Sequence, residues 1–192
     1  CGSEADGAQV FFRAGQLVCD GVPLLPAVSL AQQSPPNLLN ALAATTICLS
    51  LGLAPEAVAQ GLTDFAGLPD RHQWVATRGG VKFINDTKAT NVHAVCAGLD
   101  GYGGQVVLIV GGSGKGEDYT PLRAVMNAVK HVVLIGAEGP AIGAALGGLV
   151  PTTLAGSMAE AVALAAVLAE PGAAVLLSPA CASFDMFANY SE

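Results

Sequence analysis

Beyond residue 74 the chain alternates short apolar runs with amphipathic stretches, and the apolar runs show no polar residue at every second position. Gln105 to Val110, His131 to Ile135, Val150 to Leu154 and Ala173 to Leu177 read as strands. Strands without alternation are those covered on both faces, so this half predicts a mostly parallel sheet packed between helices. Helix starts stand between the runs. Thr120-Pro121 reads as a cap followed by proline at the first helical position, and Ser157-Met158-Ala159-Glu160 as a capping box opening a helix to about Ala169.

The first 69 residues carry a different pattern. Val10 to Arg13, Leu17 to Asp20 and Val22 to Leu25, separated by glycine-containing turns, predict a β-meander. Ser34-Pro35-Pro36-Asn37 then leads into a helix from about Leu38 to Leu51, and Ala54-Pro55-Glu56 opens a second one to about Phe65. Gly67-Leu68-Pro69 reads as a linker, because glycine closes helices and proline biases the residue before it to extended geometry. The expected units are 1–69 and 70–192. Three short strands and two helices bury little surface for an independent domain, so the first unit is expected to belong to something larger. A start at Cys1 rather than at methionine, and an end directly after an aromatic-rich stretch, point the same way.

Composition narrows the function classes. With 52% hydrophobic and 12% charged residues over 192 positions, the chain can bury a sizeable core. It has no uninterrupted apolar run of the ~18 to 20 residues that a membrane-spanning helix requires, and no signal peptide pattern, so no membrane insertion is expected. A net charge of -7 without a Lys/Arg cluster argues against nonspecific nucleic-acid binding, which needs a basic face. The five cysteines are scattered without a C-x-x-C pair, which predicts neither a zinc site nor a disulfide framework and implies a reducing, cytoplasmic setting.

The candidate chemistry lies at three predicted strand ends. Val81 to Asn91 runs from an apolar strand through a polar turn into a helix and places Asp86, Lys88 and Thr90 together. Gly111-Gly112-Ser113-Gly114-Lys115-Gly116 follows the next strand, and Ser178-Pro179-Ala180-Cys181-Ala182-Ser183 the last. In open α/β sheets ligands bind beyond the carboxyl ends of the strands, so the three turns predict one anion site. The glycine-rich turn is not a phosphate loop of the G-x-x-x-x-G-K-[ST] type, because Ile109 and Gly116 stand where glycine and Ser/Thr are required. Glu117 at the position of a third glycine excludes the dinucleotide fingerprint as well. Plainer readings stand beside these: an exposed Asp86/Lys88 ion pair, Thr90 as a helix cap, and Lys115 as a solvated turn lysine. Trp74, Phe83 and Phe184 read as core or pocket wall, and His72, His93 and His131 have no metal-ligand spacing. Cys181 would act as a nucleophile only beside a histidine base.

Asn85-Asp86-Thr87-Lys88-Ala89-Thr90-Asn91 closely resembles the N-D-[ST]-K-A-T-N motif of the D-glutamate-adding branch of the Mur ligase family. Gly67-Leu68-Pro69-Asp70-Arg71, Gly111 to Lys115 and Leu177 to Asp185 follow in that branch's order and spacing, so the resemblance covers about residues 37 to 192. It implies a Rossmann-like C-terminal domain at 70–192, preceded at 1–69 by the end of a central ATPase domain. It further implies an ATP-dependent ligase of peptidoglycan synthesis, supporting cell division and cell shape, that joins D-glutamate to UDP-N-acetylmuramoyl-L-alanine through an acyl phosphate. By the same resemblance Asn37, Arg71, Asp86 and Lys88 serve the nucleotide, whereas Thr90, Lys115, Ser183, Phe184 and Tyr190 serve D-glutamate. No catalytic group or metal ligand is expected in this chain, the Mg2+ ligands belonging upstream of Cys1. A monomer, inactive as this polypeptide alone, is implied. Two departures stand out: Pro36 and Asp70 occupy positions where the family carries histidine, and Asp70 near nucleotide phosphates would weaken their binding. The alternatives are a sister ligase for another amino acid and a non-catalytic binding module.

Overall fold

The computed structural model describes residues 7–100, 102–114 and 116–189. The chain divides into two compact units, 1–67 and 68–192.

In the first unit β1 (Val10–Arg13), β2 (Gln16–Cys19) and β3 (Val22–Pro26) form an antiparallel sheet. The turns Ala14-Gly15 and Asp20-Gly21 have positive φ at both residues, the geometry whose twist matches a two-residue hairpin. Helix α1 (Pro35–Ser50) starts three residues before the expected Leu38, because a proline at the first helical position lacks only an N–H that the helix leaves unused. Helix α2 (Pro55–Asp64) opens on proline in the same way. Val10, Leu17, Leu25, Leu30, Ala41 and Leu42 make the core of this unit.

The second unit is built on a six-stranded sheet. Its strands are β4 (Gln73–Arg78), β5 (Val81–Asn85), β6 (Val106–Gly111), β7 (Val129–Ile135), β8 (Thr152–Leu154) and β9 (Ala174–Leu177), in the order β4-β5-β9-β6-β7-β8. All pairings are parallel except the β4-β5 hairpin, which turns at Gly79-Gly80. Strand β4 carries no apolar run that would reveal it. It is an edge strand whose residues are largely exposed, and Trp74, expected in a core or pocket wall, is 63% exposed on it.

Along β6, Val106, Leu108 and Val110 enter one core and Val107 and Ile109 another. Both faces of the strand are apolar for that reason. The first core is completed by α3 (Val92–Leu99), a 3-10 helix (Thr120–Ala128) and α4 (Gly139–Leu146). The second is covered by α5 (Met158–Leu168), whose Ala161 and Ala165 are fully buried. Ser157 caps α5 by accepting the Glu160 N–H at 3.2 Å, but the Glu160 carboxylate takes the Gly156 N–H instead of closing the box on Ser157. The segment expected as an ordinary helix after Thr120 is the 3-10 helix. Thr120 is its first residue rather than its cap, and Asp118 accepts both its N–H and its hydroxyl. The last strand of the chain, β9, lies between β5 and β6, so α5 carries the chain back across the sheet and opens a crevice at the strand ends.

Candidate functional site

A cavity of about 460 Å³ occupies that crevice. Three turns furnish most of its wall: Thr87, Lys88 and Thr90 after β5, Gly111 to Gly114 after β6, and Pro179 to Phe184 after β9. Backbone bonds lock these turns to one another. Asp86 N donates to Leu177 O at 2.8 Å, Ala180 N to Ala89 O at 2.8 Å, and Gly111 N to Pro179 O at 2.9 Å. Ser113 and Ala182 exchange two further bonds, of 2.8 and 3.2 Å. These bonds hold in place the turns that carry Thr90 and Ser183.

Each turn has a local cause. The Asn85 side chain accepts the Thr87 N–H at 3.1 Å and so bends the chain directly after β5. Its amide group donates to an oxygen of Asp70 at 3.0 Å, and the Lys88 N–H donates to the Asp70 carbonyl at 3.1 Å, so the segment before β4 is tied beside the cavity. Asp70 has φ +61°, a left-handed geometry that aspartate tolerates better than most residues. The cap of α3 is Asn91, which accepts the Ala94 N–H at 2.9 Å. Thr90 is therefore not the cap, and it stands exposed on the cavity wall.

Asp86 sits behind this wall and is 9% exposed. One carboxylate oxygen accepts the His72 backbone N–H at 3.0 Å and the other the Ser178 hydroxyl at 3.1 Å. Burial pushes its acidity toward higher pH, opposed by these donors, the His72 ring and Arg71. The His72 imidazole meets the Tyr102 hydroxyl at 2.9 Å, and the Tyr102 phenol is pushed up to about 12 by burial and by the Asp86 charge. Also on the cavity wall, the buried Cys181 thiol lies 3.3 Å from the Tyr119 hydroxyl, and burial drives both groups up. A raised thiol beside a phenol is not an activated nucleophile.

His72 supplies a stability prediction. Burial holds its imidazole below the ordinary 6.5, against the pull of Asp86. A depressed histidine contributes stability that is complete above its unfolded value and is lost as pH falls through the lower folded value. Asp86 acts in the opposite sense, its contribution being present below 3.8 and lost as pH rises through its raised folded value. The urea midpoint of the chain is expected to drop as the buffer is acidified from about pH 7 to about pH 5, the range around a histidine's ordinary value. The drop shrinks in His72→Gln; an undiminished drop in that variant would assign the effect to another group.

Of the residues singled out from sequence, Lys88, Thr90, Ser183 and Phe184 meet at this one cavity. Asp86 lies behind it, and the charge of Arg71, two residues before β4, favours the ionised form of Asp86. Asn37 belongs to the first unit, where its side-chain amide donates to the Ser34 hydroxyl at 2.9 Å. Lys115 and Tyr190 lie outside the described residues. Sequence reasoning missed Ser113, Tyr119, Met158 and Phe187 on the wall and His72 with Tyr102 behind it. No spacing links His72 to Tyr102, 30 positions later.

A parallel sheet with hydroxyls, a lysine and a glycine-rich turn gathered at its central strand ends defines an open α/β domain with a crevice for a ligand at that edge. The particular family follows from comparison with known proteins. Residues 70–181 match the model of "Mur ligase, glutamate ligase domain", and the chain belongs to that family. It is 46% identical over 194 residues to a UDP-N-acetylmuramoylalanine--D-glutamate ligase of Hahella chejuensis, covering 98% of this chain and 42% of that protein. It is 52% identical over 169 residues to the protein of the same name from Bordetella parapertussis, covering 87% of this chain and 33% of the relative. The chain thus spans well under half the length of these relatives. Among solved structures, UDP-N-acetylmuramate-alanine ligase from Thermotoga maritima superposes with a TM-score of 0.66 at 19% identity, covering 88% of this chain and 39% of that one, which shows a shared fold.

Proposed function

We propose that the chain is the glutamate-ligase portion of an ATP-dependent ligase that joins D-glutamate to UDP-N-acetylmuramoyl-L-alanine in peptidoglycan synthesis. The observation that carries this reading is the cavity where the Asn85 to Asn91 turn meets the Ser178 to Ser183 turn, in a chain about half identical to proteins bearing that ligase's name. In the proposed reaction the carboxylate of the muramoyl-alanine attacks the terminal phosphorus of ATP and releases ADP. The amine of D-glutamate then attacks the acyl phosphate carbonyl, forming the amide, while phosphate leaves and the amine gives up a proton.

The role of this chain is to hold the amine donor. Thr90, Ser183 and Lys115, with the backbone near Phe184 and Tyr190, bind the two carboxylates and aim the amine, which lowers the entropic part of the barrier. Asn37, Arg71, Asp86 and Lys88 serve the nucleotide, and residues 1–69 are the end of the ATPase domain. Among the described residues no three His, Cys, Asp or Glu side chains converge in a set that could hold a metal ion. No helix among them is long and apolar enough to cross a membrane. In the proposed reading the complete enzyme acts in the cytoplasm as a monomer.

The test is phosphate release by the complete gene product supplied with ATP and UDP-N-acetylmuramoyl-L-alanine. Release is expected to depend on D-glutamate, and this chain alone is expected to release none. Preference for another amino acid in a panel would move the protein to a sister ligase, and absence of any dependence would leave a binding module.

A further inference from the structure

We propose that Ser178 is a positioning residue for the nucleotide half of the site, acting through the Asp86 carboxylate; this rests on the reading above that Asp86 serves the nucleotide. Ser178 is fully buried, at 0% exposure, and its hydroxyl donates to Asp86 from 92 positions further along the chain. The Ser178 hydroxyl holds one oxygen of that carboxylate and the His72 backbone N–H the other. Together they fix the plane of the carboxylate, as two donors on different oxygens must. A third neighbour limits where it can turn. A Cβ placed on Gly98 would stand 3.1 Å from the oxygen that Ser178 holds, so a side chain there would press that oxygen out of place by a few tenths of an ångström.

The backbone on both sides is secured without this hydroxyl. Asp86 N pairs with Leu177 O and Ala89 N with Asp86 O. In the turn that carries Ser183, Ser178 N pairs with Ile109 O, Pro179 O accepts Gly111 N, Ala180 N pairs with Ala89 O, and Ala182 bonds Ser113. Removing the Ser178 hydroxyl therefore leaves both turns in place and frees one oxygen of one carboxylate. The consequence is selective: the aim of Asp86 loosens, while Thr90 and Ser183 keep their positions in the D-glutamate half. The loss also removes a donor that favours the ionised carboxylate, so Asp86 would take up its proton at higher pH.

In the complete gene product, Ser178→Ala is expected to raise the KM for ATP about tenfold, the size of effect that one hydrogen bond to a charged group carries. The KM for D-glutamate and kcat should stay within about twofold, and the acid limb of kcat/KM for ATP should move to higher pH. Ser178→Cys, which is somewhat larger and keeps a weak donor, should fall between the parent and the alanine variant. Equal losses for both substrates, or an acid limb that does not move, would overturn the positioning role. Asp86→Asn separates the two claims. If it leaves the KM for ATP unchanged, the nucleotide reading itself fails; if it raises that KM while neither Ser178 variant does, only the role of Ser178 is lost. Should Ser178→Ala not fold, the cysteine variant alone carries the comparison.

Discussion

Gly111→Ala is expected to destabilise the chain by about 4 kcal/mol or more, or to prevent it from folding, because no route of relief is open at that position. Gly111 ends β6 with φ +133°, a conformation that side-chain-bearing residues rarely adopt, and an added Cβ would stand 1.9 Å from the carbonyl oxygen of Ile135. That oxygen cannot withdraw, since it belongs to the parallel neighbour strand β7 and accepts the Gly112 N–H at 3.1 Å. Gly112 is equally confined: its added Cβ would lie 2.2 Å from the oxygen of Ala182, in the turn after β9. Urea unfolding checks the prediction. A loss below about 1 kcal/mol, the ordinary cost of a tolerated substitution, would mean that the strand ends approach less closely than described. Gly116→Ala makes the comparison, because φ there is +77° but no atom lies within 4 Å of an added Cβ, so it bears backbone strain alone.

Lys115→Ala, in the complete gene product, is expected to raise the KM for D-glutamate about a hundredfold and that for ATP less than about threefold. The charged side chains on the described cavity wall are Asp70, Glu117 and Lys88. A dicarboxylate entering there meets two like charges and one opposite charge, and Lys88 is assigned to the nucleotide. A second cation is therefore needed, and Lys115 follows directly on the lining residue Gly114. Steady-state kinetics with each substrate varied in turn distinguishes the outcomes. Equal effects on both would dissolve the division of the site into a nucleotide half and a D-glutamate half.

The parallel sheet was legible because its strands are buried on both faces. The run Val106 to Val110 is apolar throughout, whereas the exposed edge strand β4 leaves no such trace and was passed over. The three turns were legible for a different reason, since Asn, Asp, Gly, Pro and Ser mark turns by their own backbone preferences. The cap of α3 is Asn91 and not Thr90, which removes the plainer of the two readings of Thr90; both residue types cap helices, and local sequence does not separate them. The 3-10 character of Thr120–Ala128 was not legible either, proline being compatible with both helical forms at their start.

Sequence alone determined which residues gather at the strand ends and what they resemble: Asn85 to Asn91, the glycine-rich turn and Ser178 to Ser183 match the motifs of the D-glutamate-adding branch before any coordinate is known. Tertiary structure decided which of those groups face the cavity. Insertion of β9 between β5 and β6 brings the Ser178 hydroxyl to 3.1 Å from Asp86, and this donor and the His72 N–H hold the carboxylate behind the wall that Thr90 and Ser183 share. The reason is general. Local sequence encodes propensities and turn chemistry within a few residues, while a contact across 92 positions exists only once the order of strands in the sheet has been set.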